Sequence, residues 1–180
     1  MDDDEWSSKV YRAYFNDVYR YIKRRAPDLD VENLVENVFQ TSYERRRRIP
    51  TDNILPWLYK VAWLKLLNEF RKAERHPEVI RPVDELDGSS ESADHSHDVV
   101  TRETFEQAIK QLPIAEQELL RLLLWEQLSP PEIAVVLGQR RTAILMRIKR
   151  LREKLLEAGR GEVSRRPYLA LWEWLKRGPL

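Results

Sequence analysis

Apolar positions in the first part of the chain recur every three or four residues. Val10, Tyr14, Val18, Tyr21 and Ile22 make one stripe over residues 7–26, the period of an amphipathic helix. Pro27 predicts its end, because proline cannot donate the next backbone hydrogen bond. Asp30 is placed to cap a second helix, whose stripe is Val31, Leu34, Val35, Val38 and Phe39. The cationic run Arg45–Arg48 predicts the end of that helix, where positive charge suits the backbone dipole. The loop "RIPTDNILP" then leads to a third helix carrying Trp57, Leu58, Val61, Ala62, Leu66 and Phe70.

A second helical block follows further on. "TFEQAIKQL" predicts a helix that stops at Pro113, and "IAEQELLRLLLWEQL" predicts the next. Ser129, Pro130, Pro131 and Glu132 then make a strong helix start. The serine can cap, proline suits the first turn, and Glu132 completes a capping box. The short helix "PPEIAVVL" should end at Gly138 in a left-handed turn. A long helix from about Arg141 to Leu156 comes next. No alternating strand pattern and no internal repeat compete, so the expected fold class is all-α.

Between the blocks runs "HPEVIRPVDELDGSSESADHSHDVV", with Pro77, Pro82, Gly88 and four serines but little apolar periodicity. It reads as a flexible acidic linker. The expected organisation is therefore a first small helical domain over 1–76, a linker over 77–101, a second helical domain over 102–158 and a C-terminal helical extension over 159–180. The net charge of +1 conceals a segregation along these segments. Lys plus Arg against Asp plus Glu is 15 to 13 in residues 1–76, 1 to 7 in 77–101, 10 to 8 in 102–158 and 5 to 2 in 159–180. Two weakly basic blocks and a basic tail flank an acidic connector, and such asymmetry shapes the choice of partners more than the total does.

Composition narrows the function classes. Without cysteine, disulfides and thiolate metal sites are excluded, and a reducing cytoplasm is compatible. No apolar run reaches the roughly 18 residues of a membrane span. The start "MDDDEW" is acidic where a secretory signal would be basic and then apolar. His95 and His97, with Asp94 and Asp98, could suggest a metal, but in such a linker solvation is the preferred reading, and no cofactor is expected. No nucleophile–base–acid constellation or phosphate-cradling glycine loop is visible, so neither an enzyme nor a small-molecule substrate is expected.

A short capped helix, a glycine turn and a longer basic helix make the helix-turn-helix layout. Ala134 is small where the two helices would cross, and Ile133, Leu137, Ile144, Ile148 and Leu151 can supply a shared core. The second helix offers Arg140, Arg141, Arg147, Lys149, Arg150, Arg152 and Lys154 against a single acid, Glu153. A solvated face is the bland reading of a basic helix. The capped helix and Gly138 before it favour contact with DNA.

At this point both blocks resemble one family. "AIKQLPIAEQELLRLLLWEQLSPPEIAVVLGQRRTAILMRIKRLREKL" resembles the C-terminal domain of an extracytoplasmic-function sigma factor of the sigma-70 family. The likeness runs through Leu112-Pro113, Glu132-Ile133-Ala134, Leu137-Gly138, Arg147, Arg150, Arg152, Glu153 and Leu155. "YRAYFNDVYRYIKRRAPDLDVENLVENVFQTSYERRR" resembles sigma region two. "PWLYKVAWLKLLNEFRK" resembles that region's next helix through Trp57, Leu58, Tyr59, Ala62, Asn68 and Arg71. The resemblance covers about residues 9–76 and 104–157.

The resemblance implies a region-2-like bundle and a region-4-like helix-turn-helix, with core RNA polymerase and promoter DNA as partners. An anti-sigma factor or another protein is a further possible partner. The polymerase-binding positions it implies are Glu32, Asn33, Leu34, Glu36 and Asn37. For Leu34, Val35, Val38 and Phe39 plain core is the preferred reading. For the minus-ten DNA it implies Trp57, Tyr59, Lys60, Trp63, Lys65, Asn68, Arg71, Lys72 and Arg75, aromatic rings to stack on bases and cations for the backbone. For the minus-thirty-five DNA it implies Arg140, Arg141, Thr142, Leu145, Met146, Arg147, Lys149 and Arg150. There the chain departs from the family's "TVKSRLHRAR": Ala143 meets threonine, Leu145 meets lysine and Met146 meets serine. Earlier, Trp63 stands where arginine is frequent and Leu64 where asparagine is. Leu145 and Met146 can touch thymine methyls but cannot make the bidentate bonds that select G or A. Either sequence readout is weakened and Arg147, Lys149, Arg150 and Arg152 hold phosphates, or the apolar pair binds a protein in a degenerate, sigma-like adaptor. An ordinary helix-turn-helix regulator remains a third reading.

Residues 159–180 lie outside the resemblance. Tyr168, Leu169, Leu171, Trp172 and Leu175 can share one helical face flanked by Arg165, Arg166, Lys176 and Arg177. Packing on the second domain is preferred there over a protein partner, and both over a membrane surface.

Overall fold

The computed structural model describes residues 3–75, 109–110 and 112–158. The linker expected over 77–101, the histidines within it, most of the helix expected in "TFEQAIKQL" and the extension over 159–180 lie outside the described residues. Six α-helices and one 3₁₀ turn are present among the described residues, with no strand, as the apolar spacing predicts. They are α1 (Asp3–Arg25), α2 (Val31–Glu44), α3 (Ile54–Arg75), α4 (Ile114–Leu124), α5 (Pro130–Leu137) and α6 (Arg141–Ala158). Contacts divide the chain into two compact units. One holds α1, α2, α3 and α5; the other holds α4 and α6. The short helix α5 therefore groups with α3, although the sequence places it in the second block.

In the first unit α1, α2 and α3 pack on one another pairwise. Helix α1 begins earlier than its apolar stripe, at Asp3, where acids suit the positive end of the dipole. It stops at Arg25, just before Pro27. Asp30 caps α2 as expected: its Oδ1 accepts from the Asn33 N–H at 3.1 Å. Helix α2 ends at Glu44, and Arg46–Arg48 close into the 3₁₀ turn. Helix α3 starts at Ile54, inside the expected loop, with Pro56 in its first turn, where a missing N–H costs nothing.

The bundle core holds most of the predicted set, with Tyr14, Leu34, Trp57 and Phe70 only half-buried. Val10, Val18, Tyr21 and Ile22 of α1 meet Val31, Val35, Val38 and Phe39 of α2 and Leu58, Val61, Ala62 and Leu66 of α3 in the buried set. Each fully buried aliphatic side chain contributes about 1.5–3 kcal/mol. Among the described residues of this unit Ser42 is the buried polar exception, and its hydroxyl donates to the Phe39 carbonyl at 2.7 Å. At 100° per residue the buried positions of α3, from Val61 round to Pro56, span more than half its circumference. That is wider than packing on α1 and α2 alone requires, because α5 also packs on α3.

Helix α5 begins in the expected capping box. The Ser129 N–H donates to Glu132 Oε2 at 2.8 Å, and the Ser129 hydroxyl reaches the same oxygen. It ends at Gly138 with φ 63° and ψ 34°, in the left-handed region. A Cβ at this position would meet only the Lys60 side chain, at 3.9 Å, an ordinary contact. Backbone strain, not space, is therefore what selects glycine here. Gly138→Ala is expected to lower stability by about 1–2 kcal/mol in chemical denaturation, and Gly138→Asn by less, because asparagine tolerates this conformation. Equal stability of the alanine variant and the wild type would refute the strain argument.

In the second unit α4 buries Glu118, Leu119, Leu120, Leu122 and Leu123, and α6 buries Ile144 and Leu151. Helix α4 is shorter than the sequence suggests. It ends at Leu124, and Gln127 turns the chain with φ 51°. The Glu126 N–H bonds back to the Arg121 carbonyl and the Leu128 N–H to the Leu122 carbonyl, which brings Leu128 into the buried set. The consecutive prolines 130 and 131 disfavour helical backbone just ahead of them, which helps place the break before Ser129.

Candidate nucleic-acid interface

Helix α6 has a clear inside and outside. Ile144 and Leu151 are buried and Ile148 is half-buried, and these three share one side at spacings of three and four. Arg140, Arg141, Thr142, Lys149 and Arg150 are exposed. Leu145 and Met146 are exposed too, at 42% and 50% of their surface. The outward face thus presents cations around two apolar side chains. Lys149 is 3.9 Å from Glu153, both exposed, an ion pair worth little in water. Arg147 differs from its neighbours. It is half-buried, and its Nη2 donates to the Ala115 carbonyl at 2.9 Å.

Helix α3 carries the other expected nucleic-acid set. Asn68, Arg71, Lys72 and Arg75 are exposed along its C-terminal half, and Lys72 pairs with Glu69 at 2.6 Å. Trp57, Lys60 and Lys65 are half-buried. Tyr59 and Trp63 are buried. Tyr59 stacks on Tyr21 of α1, ring centroids 4.4 Å apart and planes 16° off parallel. The Arg25 guanidinium covers Tyr21 at 3.5 Å from the ring centroid, and its Nη1 donates to the Tyr21 carbonyl at 3.0 Å. This contact between Arg25, Tyr21 and Tyr59 ties α3 to the end of α1. No sequence signal announced it beyond Tyr21's place in the α1 stripe. Trp57, Lys60, Lys65 and the exposed cations of α3 are the members of the set left with access to a strand.

Helix α2 presents Glu32, Asn33 and Glu36 to solvent, with Leu34 and Asn37 half-buried. The Tyr19 hydroxyl donates to Glu32 Oε1 at 3.4 Å. The Asn37 amide donates to the Asn33 carbonyl and to Asn33 Oδ1, each at 2.8 Å. This face combines the acids Glu32 and Glu36 with two amides held along the helix. Val35, Val38 and Phe39 are core, as one of the two sequence readings has it, whereas Leu34 keeps partial access. A groove of about 530 Å³ between α2 and α3 is lined by Leu34, Asn37, Lys65, Asn68, Arg71 and Lys72, among others. It brings positions that the sequence reading expects to meet polymerase and positions it expects to meet DNA side by side.

No protein-family model matches the chain. The RNA polymerase sigma factor NccH of Alcaligenes xylosoxydans xylosoxydans is 24% identical to it over 135 residues, 72% of this chain and 73% of that protein. A match of that length is longer than either helical block. The chain is similar to an RNA polymerase sigma factor. The all-helical architecture agrees with that likeness.

Against the sigma-like sequence pattern, Trp63 is a buried departure, whereas three others fall on accessible surface. Leu64 on α3 is 51% exposed, and Leu145 and Met146 stand outward on α6. These positions are therefore free to alter what the surface recognises without disturbing the core. Among the described residues no helix is long and apolar enough to cross a membrane, and no three His, Asp or Glu side chains gather as a metal site would need.

Proposed function

We propose that this protein is a sigma factor that binds core RNA polymerase and directs it to promoter DNA to initiate transcription. In this reading residues 1–76 and 102–158 are its two working domains, joined by the linker 77–101. The outer face of α2, with Glu32, Asn33, Leu34, Glu36 and Asn37, meets the polymerase. Helix α3 holds the melted minus-ten strand, with Trp57 as a stacking ring and Lys60, Lys65, Arg71, Lys72 and Arg75 on the backbone. Helix α6 lies against the minus-thirty-five duplex through Arg140, Arg141, Lys149 and Arg150. The catalytic chemistry belongs to the polymerase, and the protein acts inside the cytoplasm.

The single observation behind this reading is the 135-residue likeness to a sigma factor, which is longer than either helical block. The test is binding of the purified protein to core RNA polymerase, followed by run-off transcription from a promoter library. Binding with selective transcripts is expected. Absence of binding would sink the proposal.

One observation favours a second reading. Leu145 and Met146 are exposed side by side on the helix that should read bases. A sigma-like adaptor would use that pair to hold a protein partner, such as an anti-sigma factor. Polymerase binding without any transcript is its signature.

A further inference from the structure

We infer that Arg147 is a positioning residue that sets α6 on α4, and not one of the cations that hold DNA phosphates. The inference rests on the reading of α6 as a DNA-contacting helix. It concerns which arginines do which work there.

Three observations separate Arg147 from its neighbours. The first is direction. Residues 144, 147, 148 and 151 lie on one side of a helix, at spacings of three and four. Ile144 and Leu151 on that side are buried. Met146, Lys149 and Arg150 occupy the other side and are exposed. Arg147 is half-buried and turned toward the body of its unit. The second is partnership. Its Nη2 donates to the Ala115 carbonyl at 2.9 Å, across 32 residues of sequence. A charged donor makes such a bond stronger than one between neutral groups.

The third is the place of the acceptor. Ala115 lies in the first turn of α4. The positive end of a helix dipole repels a cation, so a guanidinium is held there by specific geometry rather than by the local field. Glu116 is the acid of the same turn. The Ala115 carbonyl has two lone pairs. One serves the helix ladder to the Leu119 N–H, and the other is open to the guanidinium.

A positioning arginine and a phosphate-binding arginine differ in salt dependence. Each phosphate contact releases condensed counterions, so removing one lowers the slope of log K against log salt by about one. Removing a tether weakens binding by a common factor at every salt concentration. The experiment measures full-length protein on a random-sequence DNA duplex over a salt series. Arg150→Ala is expected to lower the slope by about one. Arg147→Ala is expected to keep the wild-type slope with affinity reduced about three- to tenfold. Arg147→Lys should behave like Arg147→Ala, because an ammonium group keeps the charge but not the guanidinium's fork of donors. A loss of slope in Arg147→Ala equal to that in Arg150→Ala would overturn the inference, as would full retention of affinity in Arg147→Lys.

A second readout works without DNA. Amide hydrogen exchange at Leu119 in the first turns of α4 should speed up in Arg147→Ala and stay unchanged in Arg150→Ala. Unchanged exchange in Arg147→Ala overturns the tether. A wild-type protein that binds no duplex while the exchange difference persists would instead count against the DNA reading of α6 and leave the tether standing.

Discussion

Ile144→Asp is expected to destabilise the second unit by about 3–5 kcal/mol. Ile144 is fully buried on the inner side of α6. A carboxylate there would be taken out of water on the packed side of the helix. An uncompensated charge in a packed interior costs several kcal/mol, and the lost aliphatic contacts add to it. Met146→Asp, two positions along and half-exposed, should change stability by no more than about 0.5 kcal/mol. Urea denaturation followed by circular dichroism measures both. A loss confined to Ile144→Asp confirms which face of α6 is structural. Equal losses would mean that α6 is rotated from the orientation described.

Leu145→Lys combined with Met146→Ser is expected to tighten duplex binding about tenfold and to steepen its salt dependence by about one. Both side chains already stand in solvent, so the exchange removes little packing. It places a cation and a hydroxyl among Arg141, Lys149 and Arg150, where phosphates and base edges would lie. If the apolar pair only weakens DNA readout, the double variant gains affinity and transcription from the same promoters rises. If the pair is a protein-binding surface, DNA affinity changes little and the partner is lost. Binding titrations at several salt concentrations, beside pull-down with the partner identified on the wild type, separate the two. No gain in affinity and no lost partner would remove Leu145 and Met146 from both accounts.

Part of the candidate interface was legible because its signals are local. Asp30 before an apolar stripe, Ser129 with Glu132, and Gly138 after a short helix each act through the backbone of a few neighbouring residues. The apolar spacing in α6 correctly set Ile144, Ile148 and Leu151 inward and left Leu145 and Met146 outside. Charge alone was a poorer guide. Arg147, Lys149 and Arg150 look alike in sequence, and only Arg147 turns inward to a carbonyl 32 residues away. Tyr59 and Trp63 fit a stacking role by type, yet one is stacked on Tyr21 and both are buried. A side chain's chemistry does not reveal which neighbour has taken it.

By itself the sequence determined that the chain is helical, where most helices begin and end, and which stripe of each faces a core. Those properties follow from backbone hydrogen bonding and the 3.6-residue period, which act within a turn or two. The tertiary structure decided the rest. It grouped the short helix α5 with α3, stopped α4 at Leu124, stacked Arg25 and Tyr21 on Tyr59, and tied Arg147 to Ala115. Each depends on residues distant in sequence meeting in space, and their approach is set by the packing of whole helices rather than by any local preference.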